Sequence, residues 1–400
     1  MDDRLYWIWL QDVLSPGSYK ADAILREFGT ARNVYELPAK SLEHFKLTDA
    51  QLARFADKSL KGARSILNAA LTDYGWVLTP EDALYPSILR AIQGIPLVLY
   101  GRGEFPDLDL LPSVAIVGTR AVTAYGRRAT AMIAGGLSLG GTVIVSGGAW
   151  GVDTIAHLAA LAADSKTIAV LGCGTDIVYP PQNGGLFKSI TKKGAVVSEY
   201  PPGTPPLRHH FPQRNRLISG MCLGVCITEA PAKSGAIITA NYAFEQGRDV
   251  FAVAGDMLTG RSAGTDILIR RGAQLITNAK DILQEYIIRF PDIIDIKATE
   301  SVLSDSRFDI DNLLIDRSSS AGPITGSHDL KRKSGKPKCP DGVSENACCL
   351  FKLLDCKPRK LDELIDLSKL QASQVMTALT ELELAGGICC TPERLYCLCK

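Results

Sequence analysis

Seven short runs of apolar and β-branched residues alternate with helix-length segments between Ser113 and Phe290. These runs are predicted strands, and they cover 114–117, 142–146, 167–171, 195–198, 223–229, 249–254 and 274–277. An uninterrupted apolar run such as 114–117 is typical of a strand that is buried on both faces. Regular alternation of such strands with helices predicts an α/β fold with a Rossmann-like, doubly wound parallel sheet.

Glycine-rich turns follow the first two predicted strands. Gly118, Thr119 and Arg120 come directly after the first strand, and residues 147–151 form the second turn. The carboxyl ends of parallel strands meet at one edge of a sheet, where free backbone N–H groups and helix N-termini attract anions. The sequence therefore predicts an anion-binding site along this edge.

Basic residues add charge to the predicted site, because an arginine can bind phosphate through two parallel hydrogen bonds. The arginines near the strand ends are Arg120, Arg208, Arg214 and Arg216. Lys233, Ser234 and Gly235 open the helix after another strand and add a further N-terminus that faces phosphate. Phe211 offers a ring on which a nucleic-acid base can stack, with core packing beside Pro212 as the alternative.

Common catalytic and cofactor signatures are missing from this region. The first turn lacks the G-x-G-x-x-G pattern of dinucleotide sites, and the sequence has neither a Walker A motif nor a nucleophile elbow. Asp153 and His157 share one face of a predicted helix, which suits an acid–base or metal pair. The alternative is structural, with Asp153 bound to loop amides and His157 packed in the interior. We expect the structural role and predict no catalytic residue and no cofactor.

Cysteines concentrate at the C-terminal end of the chain, where eight of the 11 lie between Cys339 and Cys399. Zinc sites favour C-x₂₋₄-C pairs, whereas these cysteines form adjacent pairs and one C-x-C. Free cysteine is often buried as a small apolar residue. We therefore expect core cysteines and no metal ion.

Charge and hydropathy limit the possible partners. The chain has 44 basic and 43 acidic residues, so any contact with nucleic acid must depend on local placement of charge. The N-terminal sequence has no basic leader, and no apolar run approaches the roughly 18 residues of a membrane helix. We expect a cytoplasmic protein that does not contact a membrane.

Four regions are predicted along the chain. Residues 1–72 form a helical module that resembles helix-hairpin-helix or sterile-alpha-motif domains and contacts protein or, alternatively, DNA. Residues 73–290 form the core, residues 291–346 a linker with a basic run, and residues 347–400 a winged-helix domain. The third helix of that domain carries no lysine or arginine, which favours protein contact over DNA reading.

Longer motifs resemble those of the DNA-processing protein A (DprA, also called Smf) family. The glycine-rich turn after the second strand, with Asp153, Ala156 and His157, matches the family signature S-G-x-A-x-G-[IV]-D-x-x-A-H. Further matches are Tyr179-Pro180 with Asn183, Phe211-Pro212 with Arg214-Asn215-Arg216, Glu229-Ala230 with Ser234-Gly235, Ile238-Thr239-Ala240, Phe251-Ala252-Val253, and Ser262 with Gly264. The match is dense from about 75 to 285.

The resemblance implies a non-enzymatic protein that binds single-stranded DNA, forms a homodimer and loads the RecA recombinase onto that DNA during natural transformation. Together with the charges and turns above, it predicts a set of DNA-contacting residues. They are Gly118, Thr119, Arg120, Ser146, Gly147, Gly148, Arg208, Phe211, Arg214, Asn215, Arg216, Lys233, Ser234 and Gly235. Trp150 stands where the family often has a basic residue.

A second hypothesis assigns the same fold to an enzyme or sensor that acts on free nucleotides, as in LOG-like Rossmann proteins. Those proteins resemble this chain around residues 229–239. They usually carry a P-G-G-x-G-T loop, which residues 231–235 do not supply.

Overall fold

The computed structural model describes residues 2–255, 260–303, 305–308, 343–354, 359–368, 370–384, 388–390 and 395–398. The chain divides into two compact units, Met1–Ile324 and Thr325–Lys400.

A nine-stranded sheet forms the centre of the first unit, with the strand order β1-β2-β6-β5-β4-β3-β7-β8-β9. The strands are β1 (Gly75–Leu78), β2 (Leu99–Gly103), β3 (Ser113–Val117), β4 (Val143–Ser146), β5 (Thr167–Leu171), β6 (Ala195–Ser198), β7 (Gly224–Ile227), β8 (Asp249–Val253) and β9 (Gln274–Ile276). The strands from β6 to β9 in this order are parallel, while β1 and β2 add an antiparallel edge. The predicted α/β fold with a parallel sheet is confirmed.

Strand β3 shows why the sheet is buried on both faces. Val114 and Ile116 belong to one apolar core, whereas Ala115 and Val117 belong to the core on the opposite face. Alternate residues of a strand point to opposite faces, so a strand covered on both sides needs a continuous apolar run.

Helices cover both faces of the sheet. Those of the first unit are α1 (Arg4–Leu14), α2 (Lys20–Phe28), α3 (Ala31–Glu36), α4 (Asp49–Ala56), α5 (Lys61–Ala70), α6 (Ser87–Arg90), α7 (Ala124–Leu139), α8 (Val152–Ala162), α9 (Gly184–Lys193), α10 (His210–Gly220), α11 (Gly235–Glu245), α12 (Ala263–Arg270) and α13 (Ala279–Tyr286). Helices α7, α8 and α13 supply one core, and α10 and α11 supply the other.

The strand order reverses between β3 and β7. From β3 the chain adds β4, β5 and β6 on one side, and it then returns to add β7, β8 and β9 on the other side. In open parallel sheets, ligands bind outside the carboxyl ends of the strands at this switch point. The turn that carries Arg120 and the turn that carries Lys233 follow these two strands.

Four predicted strands are shorter in the structure: those expected at 142–146, 223–229, 249–254 and 274–277 correspond to β4, β7, β8 and β9. The strand expected at 223–229 stops at Ile227, because Glu229 turns away from the sheet to bind the start of α7. An apolar run at 97–100 also predicts a strand before Gly101; in the structure this strand, β2, starts at Leu99, continues to Gly103 and pairs with β6.

The N-terminal helices α1 to α5 form their own core around α1, whose Trp7, Ile8 and Leu10 are buried. Val77 of β1 and Tyr100 of β2 belong to the same core. The helices therefore pack directly on the antiparallel edge of the sheet.

Residues 291–308 differ from the prediction of a linker. They contain 3₁₀ helices at Lys297–Leu303 and Ser306–Phe308, and Ile294, Val302 and Phe308 are buried in the core that α7 and α8 supply. The acidic composition of this segment concealed its apolar residues, which are too widely spaced to indicate a regular element. Residues 309–342 of the predicted linker, with its basic run, lie outside the described residues, whereas 343–346 are described and a helix begins at Glu345.

The second unit has the elements of a winged helix. It contains α14 (Glu345–Leu353), α15 (Leu361–Ser368) and α16 (Ala372–Leu384), with a sheet of β10 (Arg359–Lys360), β11 (Ile388–Cys390) and β12 (Leu395–Leu398). Leu350, Leu364 and Leu379 are buried in its core. Cys349 is exposed, so the prediction of a core cysteine is wrong at this position.

Candidate nucleic-acid interface

The turns after β4, β3 and β7 are joined at the carboxyl edge of the sheet. The backbone N–H of Thr119 donates to the carbonyl of Glu229 at 2.8 Å, and the N–H of Val152 donates to the carbonyl of Thr119 at 3.2 Å. These bonds hold the three turns together across the switch point.

Three cations are exposed along this edge. Arg120 follows β3, Lys233 lies between β7 and α11, and Arg208 lies two residues before α10. Within the described residues none of the three forms a salt bridge, so their charges face solvent. These side chains can bind the phosphates of an incoming ligand.

The turn after β4 depends on glycine. Gly148 and Gly151 have φ values of +64° and +91°, in the region that other residues rarely adopt. A Cβ atom on Gly151 would lie 2.4 Å from the carbonyl oxygen of Thr119. The close approach brings Trp150, which is 51% exposed, next to the turn that carries Arg120.

Arg214 lies beneath this turn and does not face solvent. It is 4% exposed, and its guanidinium donates to the carbonyl of Gly147 at 2.7 Å and to the carbonyl of Val170. Burial lowers the pKa of Arg214 to about 10, partly opposed by Asp153, so it stays charged at neutral pH. Arg214 therefore supports the turn from inside the protein.

Asp153 and His157 are buried in structural contacts. Asp153 accepts a hydrogen bond from the N–H of Ala149 at 3.2 Å. His157 Nδ1 lies 2.8 Å from Oγ1 of Thr167, whose hydroxyl donates to the carbonyl of Ile144. Burial lowers the pKa of His157 to about 3, so its ring is neutral at physiological pH. The contacts fit the structural interpretation of this pair.

Aromatic rings lie at the carboxyl end of β5. Phe211, at the start of α10, is half-buried, and its ring centroid lies 5.4 Å from that of Tyr179. A Cβ atom on Gly172 would lie 3.2 Å from the Phe211 ring, which places that ring over the end of β5. Tyr179 is 38% exposed. Tyr179 is part of a matched motif but not of the DNA-contacting set predicted from the sequence. Its position beside Pro180, in a turn after a strand, was nevertheless an indication that it lies at this edge.

Arg216 is committed to a buried ion pair with Glu199, and their side chains are 3% and 2% exposed. Glu199 also accepts a hydrogen bond from the N–H of Gly17 at 3.0 Å. Burial raises the pKa of Glu199, and the charge of Arg216 opposes this effect. The pair links α10 to the turn between α1 and α2 and is closed to solvent.

The other candidate residues build the edge. Ser146 is buried and donates to the carbonyl of Ile116 at 2.6 Å. Ser234 caps α11 by accepting from the N–H of Ala236, and Asn215 donates to the carbonyl of Gly235 at 3.3 Å. Asn215 thereby connects α10 to the start of α11, close to Lys233.

In the described part of the chain, no three His, Cys, Asp or Glu side chains are grouped in a way that could hold a metal ion. Among the same residues, no helix is long and apolar enough to cross a membrane.

Both units contain a region that matches a known protein family or domain. Residues 76–287 match the family described as DNA recombination-mediator protein A, and residues 336–394 match the DprA winged helix domain. The chain is 46% identical over 205 residues to the DNA processing protein DprA of Streptococcus pneumoniae, covering 51% of this chain and 72% of that protein. It is 35% identical over 322 residues to the protein Smf of Synechocystis sp., covering 80% of this chain and 79% of that protein. The X-ray structure of DNA processing protein A from Streptococcus pneumoniae has a TM-score of 0.62 and 34% identity, covering 71% of this chain and 98% of that chain.

Proposed function

This chain belongs to the DNA recombination-mediator protein A family, and from that premise we propose that it binds single-stranded DNA along the carboxyl edge of its parallel sheet. The observation that carries the proposal is a row of exposed cations beside aromatic rings at neighbouring strand ends, with cations after β7 and β3 and rings at the ends of β4 and β5. Lys233, Arg120 and Arg208 supply charge, and Trp150 and Phe211 supply rings.

The order of the β-strands in the sheet defines a path for the DNA. Across the sheet, β7, β3, β4 and β5 are neighbours. Lys233, Arg120 and Trp150 lie in the segments that follow β7, β3 and β4, and the Phe211 ring lies over the end of β5. Neighbouring β-strands lie about 4.8 Å apart, so these four positions form a continuous row. The DNA runs along this row, across the ends of the β-strands. The cations contact successive phosphates while the bases stack on the rings.

Single-stranded DNA suits this surface better than a duplex does. Stacking on a side chain requires an unpaired base whose face is free. The chain has a net charge of only +1, so the general attraction that binds a duplex backbone is weak. We expect oligo-dT to bind more tightly than a duplex of equal length in fluorescence anisotropy, and equal or tighter binding of the duplex would contradict the proposal.

Replacing Phe211 with alanine should weaken binding of oligo-dT by ~1–3 kcal/mol, because one stacked base loses its platform. Fluorescence anisotropy with labelled oligo-dT measures the change in Kd. Phe211→Tyr keeps the ring and should bind as the wild type does.

Phe244→Ala is the matched control for Phe211→Ala. Both phenylalanines are half-buried, and the ring of each has an arginine Cζ nearby, at 5.4 Å for Phe244 and 5.9 Å for Phe211. Phe244 lies near the C-terminal end of α11, away from the proposed path. If Phe211→Ala and Phe244→Ala bind oligo-dT equally well, Phe211 does not stack on DNA.

The proposed role involves no catalysis. The acid–base pair that the sequence offered, Asp153 and His157, is buried and bonded within the protein, which supports this view. Incubation with nucleoside monophosphates should release no free base in chromatography. Release of base that depends on the protein would favour the nucleotide-cleaving alternative.

The proposal extends to partners and location. The family description as a recombination mediator supports delivery of the bound strand to a RecA recombinase, and the resemblance implies a homodimer in the cytoplasm. Light scattering after gel filtration should give twice the chain mass of 43.0 kDa. In a coupled assay, the protein should speed the start of RecA ATP hydrolysis on DNA covered by a single-strand-binding protein. A monomeric mass or an unchanged lag would contradict the corresponding part.

A further inference from the structure

The carboxylate of Glu229 lies at the N-terminus of α7. Its Oε2 atom accepts hydrogen bonds from the backbone N–H and the hydroxyl of Thr123, each at 3.0 Å, and Thr123 is the N-cap residue of α7. A Cβ atom on Gly126 would lie 1.7 Å from Oε2. The first turn of α7 therefore has room for this carboxylate only because residue 126 is glycine.

This position is where open parallel sheets bind the phosphates of nucleotides. Helix α7 follows β3, and β3 and β7 flank the switch point. At such a point, phosphate rests on the N-terminus of the following helix, where free N–H groups and the helix dipole attract negative charge. Here an acidic side chain of the same protein, only 1% exposed, occupies the place of that phosphate.

We propose that Glu229 is a specificity-determining residue that keeps inorganic phosphate and free nucleotides out of the switch-point crevice. The N–H and hydroxyl of Thr123 are already bound to Oε2, so a second anion cannot use these two donors. It would also lie against a like charge in a buried setting, where charges repel more strongly than in water.

The inference rests on the proposed function, because it explains why the edge would accept a strand of DNA and reject the isolated nucleotide. The phosphates of a strand contact Arg120 and Lys233, which are exposed outside the crevice. A free nucleotide has too few phosphates to engage several exposed cations, and it therefore depends on the N-terminus of α7.

Two substitutions of Glu229 distinguish the effect of its negative charge from the effect of the space that its side chain fills. Oε1 of Glu229 is buried and has no hydrogen-bond partner among the described residues, whereas Oε2 accepts both bonds from Thr123. Glu229→Gln keeps an oxygen acceptor for Thr123 and removes the charge. Glu229→Ala removes the charge and also opens the space for a phosphate group.

Calorimetric titration with pyrophosphate and with adenosine diphosphate tests the inference. Glu229→Ala should bind both at least about tenfold more tightly than the wild type does, as expected for an anion gaining a helix N-terminus, and Glu229→Gln should lie between them. Glu245→Ala removes one exposed carboxylate from α11 and should match the wild type.

Several results would overturn the role of Glu229. Tight binding of pyrophosphate by the wild type would do so without any variant, and so would unchanged affinity in Glu229→Gln, the variant that keeps the local hydrogen bonds. Oligo-dT is titrated in parallel. If the wild type does not bind oligo-dT, the proposed function is contradicted. This outcome is distinct from a failure of the role of Glu229.

Discussion

Replacing Arg216 with methionine should lower the free energy of unfolding by about 3–5 kcal/mol, because the buried carboxylate of Glu199 then loses its charged partner. Intrinsic tryptophan fluorescence in a urea titration measures the effect. All four tryptophans lie in the unit Met1–Ile324, so the signal reports on the unit that contains the pair.

The double variant Arg216→Met with Glu199→Gln should recover most of the lost stability, because no buried charge remains unpaired. Arg289→Met, at an exposed position, is the matched control and should change the free energy of unfolding by less than about 0.5 kcal/mol. If the double variant is as unstable as Arg216→Met alone, the unpaired carboxylate is not the cause.

The same variants separate structure from DNA contact at Arg216. Sequence reasoning assigns its guanidinium to phosphate, whereas in the structure it is paired with Glu199 below the surface. We expect the double variant to bind oligo-dT as the wild type does. Weakened binding of oligo-dT by a folded double variant would indicate that Arg216 contacts DNA directly.

Helix α10 also connects the edge of the sheet to the N-terminal helices. Gln213 donates to the carbonyl of Pro16 and accepts from the hydroxyl of Tyr200 at 2.9 Å, and Glu199 accepts from the N–H of Gly17. Phe211, on the same helix, lies over the end of β5. The N-terminal helices therefore contribute to the position of this ring.

The parallel sheet could be predicted from the sequence because its strands are buried on both faces. Runs such as 167–171 and 195–198 contain almost only apolar residues, and their bounds agree with β5 and β6. Glycines at 148 and 151 indicated sharp turns, and both have positive φ values. These features depend on local chemistry, which a single sequence records.

The depth of each arginine could not be predicted in the same way. Arg120 and Arg214 both lie near glycine turns, yet the first is exposed and the second is buried under the carbonyl groups of Gly147 and Val170. The partner of Arg216 is 17 residues away in the chain, on the turn after β6. Burial of a charge depends on such distant partners, and no local pattern reveals them.

The prediction of a linker directly after residue 290 was wrong for a related reason. The apolar residues Ile294, Val302 and Phe308 of this segment follow neither a helical nor a strand period. Phe308 and Val302 pack against α7 at Gly135 and Gly136, where a Cβ atom on Gly135 would lie 2.5 Å from the Phe308 ring. The complementary surface lies more than 150 residues earlier in the chain.

The exposed cations at the carboxyl edge should carry most of the affinity for DNA. The triple variant Arg120→Ala, Arg208→Ala and Lys233→Ala should lose about a hundredfold or more in affinity for oligo-dT at low salt, because three charge-assisted phosphate contacts disappear. A matched triple variant replaces Lys192, Arg270 and Arg289 with alanine. These residues lie at or just beyond the C-terminal ends of α9, α12 and α13, at the opposite edge of the sheet.

The dependence of the affinity on salt tests the central claim most directly. The logarithm of the binding constant of the wild type should fall linearly with the logarithm of salt concentration, and the carboxyl-edge triple variant should reduce that slope by about 2, at roughly 0.7 per lost phosphate contact. The matched triple variant should keep the slope of the wild type. Equal slopes for the two triple variants, or no binding of oligo-dT by the wild type, would contradict the account.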